Sequence, residues 1–316
     1  MSEKIATREA YGQTLAELAA TDKNLVVLDA DLSKSTKTCD FAKVCPERFV
    51  DVGIAEQNMV SISAGLATLG KHVFCSSFAI FAVGRAFEQI RNSIAYPQLP
   101  VTIAATHAGL TVGEDGATHQ AIEDVAIMRA VPNMTVIVPA DATETAQAVR
   151  LLAEHPGPAY LRLGRLAVEQ VLPADYQFQI GKGTVLYNGD GEPEQVVIFA
   201  CGLMLGKALE SARALDAEGI KAAVVNMPTI KPLDTELVCQ MAKRCGAAVT
   251  VEEHSVIGGL GSAVAETLAE NCPIPLLRVG VEDKFGQSGK PDELLADYGL
   301  TVENIIAKAK AAIARK

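Results

Sequence analysis

Tryptophan is absent from this 316-residue chain, although 49% of its residues are hydrophobic. Part of that apolar surface is therefore expected to be covered by another subunit rather than by the chain's own core. No apolar run reaches the ~18 residues of a membrane span, and the opening MSEKIATREA lacks a signal-peptide pattern. The seven cysteines, an odd number scattered through apolar runs, give neither a disulfide framework nor a zinc pattern. A reducing, cytoplasmic setting is the expectation. Cations are outnumbered, leaving a net charge of −10, which argues against nucleic acid or an acidic membrane as partner. Repeats and low-complexity segments are lacking too.

What is present is regular alternation. Residues 7–21 read as a helix with Thr7 at the N-cap, and NLVVLDADL (24–32) reads as a buried strand followed by SKST. A short strand near 49–52, a helix opening at Glu56, a strand at 72–75, a helix over 81–96 and the strand PVTIAAT follow. Then come a helix near 121–130, the strand 134–140, a helix over 142–154 and the strand 159–163. Residues 166–194 lose periodicity and collect glycine and proline, so a domain boundary is expected there, giving domains 1–180 and 181–316. The second half repeats the pattern with strands at 195–201, 221–227, 247–253 and 274–280 and helices between and after them. The fold class is α/β: two successive doubly wound, mostly parallel-sheet domains. NGDG (188–191) reads as a hairpin turn, and GGLG (258–261) as a close-packed helix start.

The chemistry concentrates between Asp51 and Gln120. Glu56 is a lone carboxylate in GIAEQNM, followed by small apolar residues; alone, it needs no more explanation than a favourable charge at a helix start. Phe78 and Phe81 lie three apart in SFAIF, able to share a helix face and sandwich a flat heteroaromatic ring, or simply to pack in a core. His107 and His119 bracket the turn Gly113-Glu114-Asp115-Gly116 just past a buried strand, where α/β proteins keep their chemistry. Asp31, Ser33 and Ser35 fall at the same kind of edge, after the first long strand.

GIAEQNM, the SFAIF run and GEDGATHQ, in this order and spacing, resemble the pyrimidine-binding half of transketolase, a thiamine-diphosphate enzyme, and the remainder is similar to that family's C-terminal domain. The resemblance implies that Glu56 shares a proton with the cofactor's aminopyrimidine. It further implies that Phe81 stacks on that ring beside Phe78, that Asp31 belongs to the cofactor set, and that Asp115 and His119 contact the substrate's hydroxyls. Arg8, Ser35, His107 and Arg165 match the family's substrate-phosphate positions, His107 counting among the catalytic residues as well. Where the family has a tyrosine three residues beyond the stacking phenylalanine, this chain has Gly84. A full transketolase carries a preceding domain of comparable size that binds the diphosphate and its metal, for which 316 residues are expected to leave no room. The expectation is the C-terminal subunit of a split transketolase, with no metal ligands of its own. A separate N-terminal subunit would hold the diphosphate and a divalent metal (Mg or Ca) in an alpha2beta2 assembly that moves a two-carbon ketol unit between sugar phosphates.

Three rival readings share these motifs in part: the corresponding half of a deoxyxylulose-phosphate synthase, the E1 beta subunit of a 2-oxo-acid dehydrogenase, and a non-catalytic binding partner. GEDGATHQ and the four phosphate-site matches disfavour the first two, and intact Glu56, Asp115 and His119 disfavour the third. A nucleotide-binding reading would rest on GGLG alone, which lacks the third glycine of a dinucleotide fingerprint.

Overall fold

The computed structural model describes residues 4–188 and 194–316. Seven strands form the first sheet, in the order Thr229–Lys231, Thr135–Ile137, Ala159–Arg162, Val101–Ala105, His72–Ser76, Leu25–Asp29, Phe49–Asp51. All neighbours are parallel except Thr229–Lys231, which runs antiparallel on the edge. Five strands form the second sheet, in the order Leu276–Val281, Ala248–Ser255, Val196–Ala200, Ala222–Asn226, Thr184–Asn188, with only the last antiparallel. The central strands are predominantly apolar runs such as LVVLD and VVIFA, buried at every position. Such runs suit strands covered by helices on both faces, and the doubly wound α/β expectation holds in both sheets.

Strand order also positions the site. The chain leaves Leu25–Asp29 toward one neighbour, Phe49–Asp51, and leaves His72–Ser76 toward the other side, Val101–Ala105. Loops that depart in opposite directions open a crevice beyond the carboxyl ends of the strands, where α/β sheets take their ligands. Ser77, Phe78, Thr106, His107 and Arg165 all lie just past a strand's carboxyl end, and Glu56 opens the helix that follows Phe49–Asp51.

Several local expectations are corrected. The first helix spans Thr7–Thr21, but Ala6 is the cap and Thr7 instead accepts a hydrogen bond from the Gly164 N–H at 2.8 Å. The helix expected over 81–96 starts earlier, at Ala79, and passes from Gln89 into a π-helix, Ile90–Ala95. Its early start comes from the Ala79 N–H, which bonds to the Thr106 carbonyl at 2.7 Å while Phe78 caps in an extended conformation. The helix near 121–130 begins only at Asp124. NGDG, apart from Asn188, lies outside the described residues, but its flanking strands do not form a hairpin: Ala222–Asn226 is inserted between Thr184–Asn188 and Val196–Ala200. GGLG is a close-packed helix start as expected: the Glu252 carboxylate accepts from the N–H groups of Leu260 and Gly261, both at 2.7 Å. A side chain at Gly259 would strike that carboxylate, 2.0 Å from its Cβ.

The Thr229–Lys231 strand was missed because it is too short to show a period. Its pairing with Thr135–Ile137 sends the second half of the chain back into the first sheet. A buried polar seam ties the halves as well. Arg162 donates to the Asp124 carboxylate at 2.8 Å and to the Glu253 carbonyl at 3.0 Å, and Tyr160 donates to Asp124 at 2.6 Å. Burial is the leading influence on this seam, holding the Glu252 and Glu253 carboxyls up at about 7 and His254 down at about 4.

Candidate active site

Glu56 is the first residue of the helix Glu56–Thr68 and is 4% exposed. Its Oε1 accepts a hydrogen bond from Arg85 Nη1 at 2.9 Å and a longer one from Ser77 Oγ at 3.5 Å. The Arg85 guanidinium lies over the Phe81 ring, 4.1 Å from its centroid. Beyond that ring the aromatic surface continues. Phe81 stacks on Phe78 at 5.9 Å and 15°, Phe78 stacks on His107 at 3.8 Å and 20°, and His119 meets Phe81 edge-on at 5.2 Å. One buried carboxylate thus borders a run of flat faces, an arrangement that can hold a planar, hydrogen-bonding ring.

Next to it is a cationic group. Arg8 Nη1 donates to the Ser35 carbonyl at 2.9 Å and meets His107 Nε2 at 3.3 Å. A guanidinium only donates, so His107 Nε2 accepts and its proton is on Nδ1, directed at Thr106 Oγ1, 2.9 Å away. Burial, and then the charges of Arg8, Arg165 and His119, push the His107 imidazole down to about 3, so it is neutral at working pH. Burial also lowers Arg8. Arg8 Nε is buried without a hydrogen-bond partner, an orphaned cationic donor beside the ring stack.

The turn between the two histidines needs its glycines, since Gly113 and Gly116 have φ of 86° and 74°. Glu114 and Asp115 project outward from it. Arg165 Nη1 binds the Val112 carbonyl and lies 3.6 Å from Glu114 and 3.8 Å from Asp115. Gln120 Nε2 donates to the carbonyls of Leu110, Gly113 and Gln287 at 3.1, 3.3 and 2.9 Å, and Glu253 accepts from the Thr111 N–H at 2.6 Å. The second half of the chain therefore holds the turn in place.

Glu56, Phe78, Phe81, His107, His119, Arg8 and Ser35 are brought together, with Ser35 contributing its carbonyl rather than its hydroxyl to Arg8. Arg165 is close enough to influence Arg8 and His107 but pairs with the turn. Asp31 is exposed, with φ 62°, its N–H bonded to the Asp51 carboxylate at 3.1 Å. Among the described residues no cluster of three His, Cys, Asp or Glu side chains could hold a metal ion. Sequence reasoning missed Arg85 and Glu253. Arg85 had a signal, since it stands four residues after Phe81 and so on the same helix face. Glu253 had none, because its partner Thr111 is 142 residues away.

Residues 3–170 match the transketolase pyrimidine binding domain and residues 187–305 the transketolase C-terminal domain. A Methanocaldococcus jannaschii protein, provisionally named a transketolase C-terminal section, is 53% identical over 94% of this chain and 93% of its own length. A 6-deoxy-6-sulfo-D-fructose transketolase subunit from a Clostridium species is 42% identical over 98% of this chain and 95% of its own. Among solved structures, a split gene transketolase described as an inactive beta4 tetramer superposes with a TM-score of 0.90 at 55% identity, covering 99% of this chain and 100% of that one. With both halves of the chain matched and these three relatives covered nearly end to end, this protein belongs to the transketolase family as a C-terminal subunit of the split kind.

Proposed function

We propose that this subunit completes a thiamine-diphosphate transketolase, moving a two-carbon ketol unit between sugar phosphates in the cytoplasm together with a separate diphosphate-binding subunit. The observation that carries the reading is Glu56: a buried carboxylate whose partner is a flat cation already lying on Phe81. A protonated aminopyrimidine is such a cation, so the residues fit the group. When bound, thiamine diphosphate supplies a carbon nucleophile that accepts the ketol unit. Glu56 holds the shared proton at the ring nitrogen it faces, and the low exposure of its carboxylate keeps water from competing for that proton. Phe81 would stack on the ring with Phe78 beside it, and Asp31 belongs to the cofactor's surroundings.

The substrate's anionic end goes to Arg8 and Arg165, where the unpaired Arg8 Nε awaits an acceptor, while Ser35 and His107, the other two matched positions, orient Arg8 through its Nη1. Asp115 accepts from the hydroxyl beside the reacting carbonyl, and His119 contacts the donor's terminal hydroxyl. A divalent ion would be held by the partner subunit, in an alpha2beta2 enzyme. A sulfosugar is a second candidate substrate, because one relative is named for 6-deoxy-6-sulfo-D-fructose and a sulfonate suits the same cationic group.

The test is reconstitution. The purified chain with thiamine diphosphate and magnesium should show no ketol transfer, because one pocket half offers too few contacts. Addition of a diphosphate-binding subunit should switch transfer on for phosphorylated or sulfonated sugars. Robust activity of the single chain would sink the split-enzyme reading. Formation of deoxyxylulose phosphate or transfer to lipoamide would restore those rivals, and a complex that binds cofactor without turnover would restore the non-catalytic partner.

A further inference from the structure

Arg85 makes, from within the chain, the two contacts expected of the cofactor's ring. Its guanidinium is planar and cationic, lies 4.1 Å from the Phe81 centroid, and donates to Glu56 Oε1 at 2.9 Å. Phe78 packs beside the same ring in near-parallel orientation, with centroids 5.9 Å apart and planes at 15°. Two flat groups cannot share one face of Phe81. Gly84 then acquires a role. A Cβ at Gly84 would meet nothing within 4 Å, and the Arg85 side chain is 49% exposed, so the guanidinium has open space and solvent into which to swing.

We propose that Arg85 is a placeholder for the aminopyrimidine: it occupies the ring's berth in the unliganded chain, keeps Glu56 partnered, and sets cofactor affinity by the cost of its displacement. The proposal rests on the pyrimidine-site reading above. It explains how a chain made apart from its diphosphate-binding subunit tolerates a buried carboxylate, since an unpaired one would be costly. It also assigns the departure at Gly84: a tyrosine there would fill the space that the displaced side chain needs.

The experiment uses the purified full chain and thiamine as probe, which carries the aminopyrimidine without the diphosphate that needs the partner. Thiamine affinity is measured by ligand-observed NMR at millimolar concentration on wild type, Arg85→Ala and Arg85→Met, the last keeping the aliphatic stem. Circular dichroism and size-exclusion chromatography check fold and assembly. Because the Arg85 side chain is 49% exposed, its displacement costs less than that of a fully buried partner, and both variants should bind thiamine about 3- to 10-fold more tightly than wild type. In wild type, thiamine should shift and broaden the Arg85 Nε–H signal, a readout independent of activity. Equal or weaker binding by the variants, with thiamine still bound by wild type, would overturn the placeholder alone. Thiamine binding to neither wild type nor variants would overturn both the placeholder and the pyrimidine-site reading.

Discussion

Arg8 and His107, ninety-nine positions apart, meet at 3.3 Å, with the guanidinium donating to the imidazole Nε2. The contact fixes the tautomer of a neutral histidine and leaves Arg8 Nε unsatisfied. If that donor is for a substrate anion, Arg8→Ala should raise KM for a phosphorylated sugar about 10- to 100-fold in the reconstituted enzyme, the value of one or two charge-assisted bonds. Hydroxypyruvate, which lacks the phosphate, should be used nearly as well as by wild type. Arg165→Ala is the less clean probe, since Arg165 also braces the turn bearing Asp115, and some loss on both substrates is expected. Equal losses on both substrates for Arg8→Ala would withdraw the phosphate assignment.

Glu56→Gln retains the shape of the side chain and removes its capacity to share a proton. In the reconstituted enzyme kcat should fall roughly 10²-fold or more, the range general acid–base catalysis supplies, with subunit assembly unchanged. Steady-state kinetics beside sedimentation analysis decides this. A variant within twofold of wild type would leave Glu56 as a charge at a helix start.

The seam at Glu253 should make stability depend on pH. Burial raises its carboxyl to about 7, so between the unfolded value near 4.5 and 7 the folded chain retains a proton that the unfolded chain has lost. Stability from this group is therefore present at low pH and lost as pH rises to 7, by at most ~1.4 kcal/mol per pH unit. Glu252 and Glu144 act in the same direction, while the lowered His107 and His254 act oppositely below 6.5, so only a difference isolates Glu253. Glu253→Gln should gain stability relative to wild type from pH 5 to pH 7.5 in urea unfolding. A pH-independent difference would show that the carboxyl titrates alike in both states.

Gly286 leaves room for Gln120, whose Oε1 would be 1.9 Å from an added Cβ. Gln120 cannot retreat without giving up its bonds to three carbonyls. Gly286→Ala should cost about 1–3 kcal/mol of stability, as overpacking does. Amide exchange over residues 110–120 should quicken, because the turn loses its anchor. Gln120→Ala combined with Gly286→Ala should cost less than the sum of the two, the mark of a shared contact. Additive losses would place the strain elsewhere.

Much of this architecture was legible in one dimension. Continuous apolar runs such as VVIFA define strands buried on both faces, and their alternation with helical stretches leaves a covered parallel sheet as the outcome. The candidate site residues stood out as well, because loops at carboxyl ends of strands carry polar groups that a core would not tolerate, and GEDGATHQ and GIAEQNM are long enough to be distinctive. The sequence could not reveal which of these side chains partner one another. The start of the Ala79–Gln89 helix was decided by a hydrogen bond to Thr106, the tautomer of His107 by Arg8, and the anchoring of the Asp115 turn by Gln287 and Glu253 in the other half of the chain. Each is a contact between residues far apart in sequence, which local propensity does not encode. Glu56 shows the division most clearly: its presence was written in the sequence, but Arg85 as its partner was decided by a helix that lays a guanidinium across Phe81.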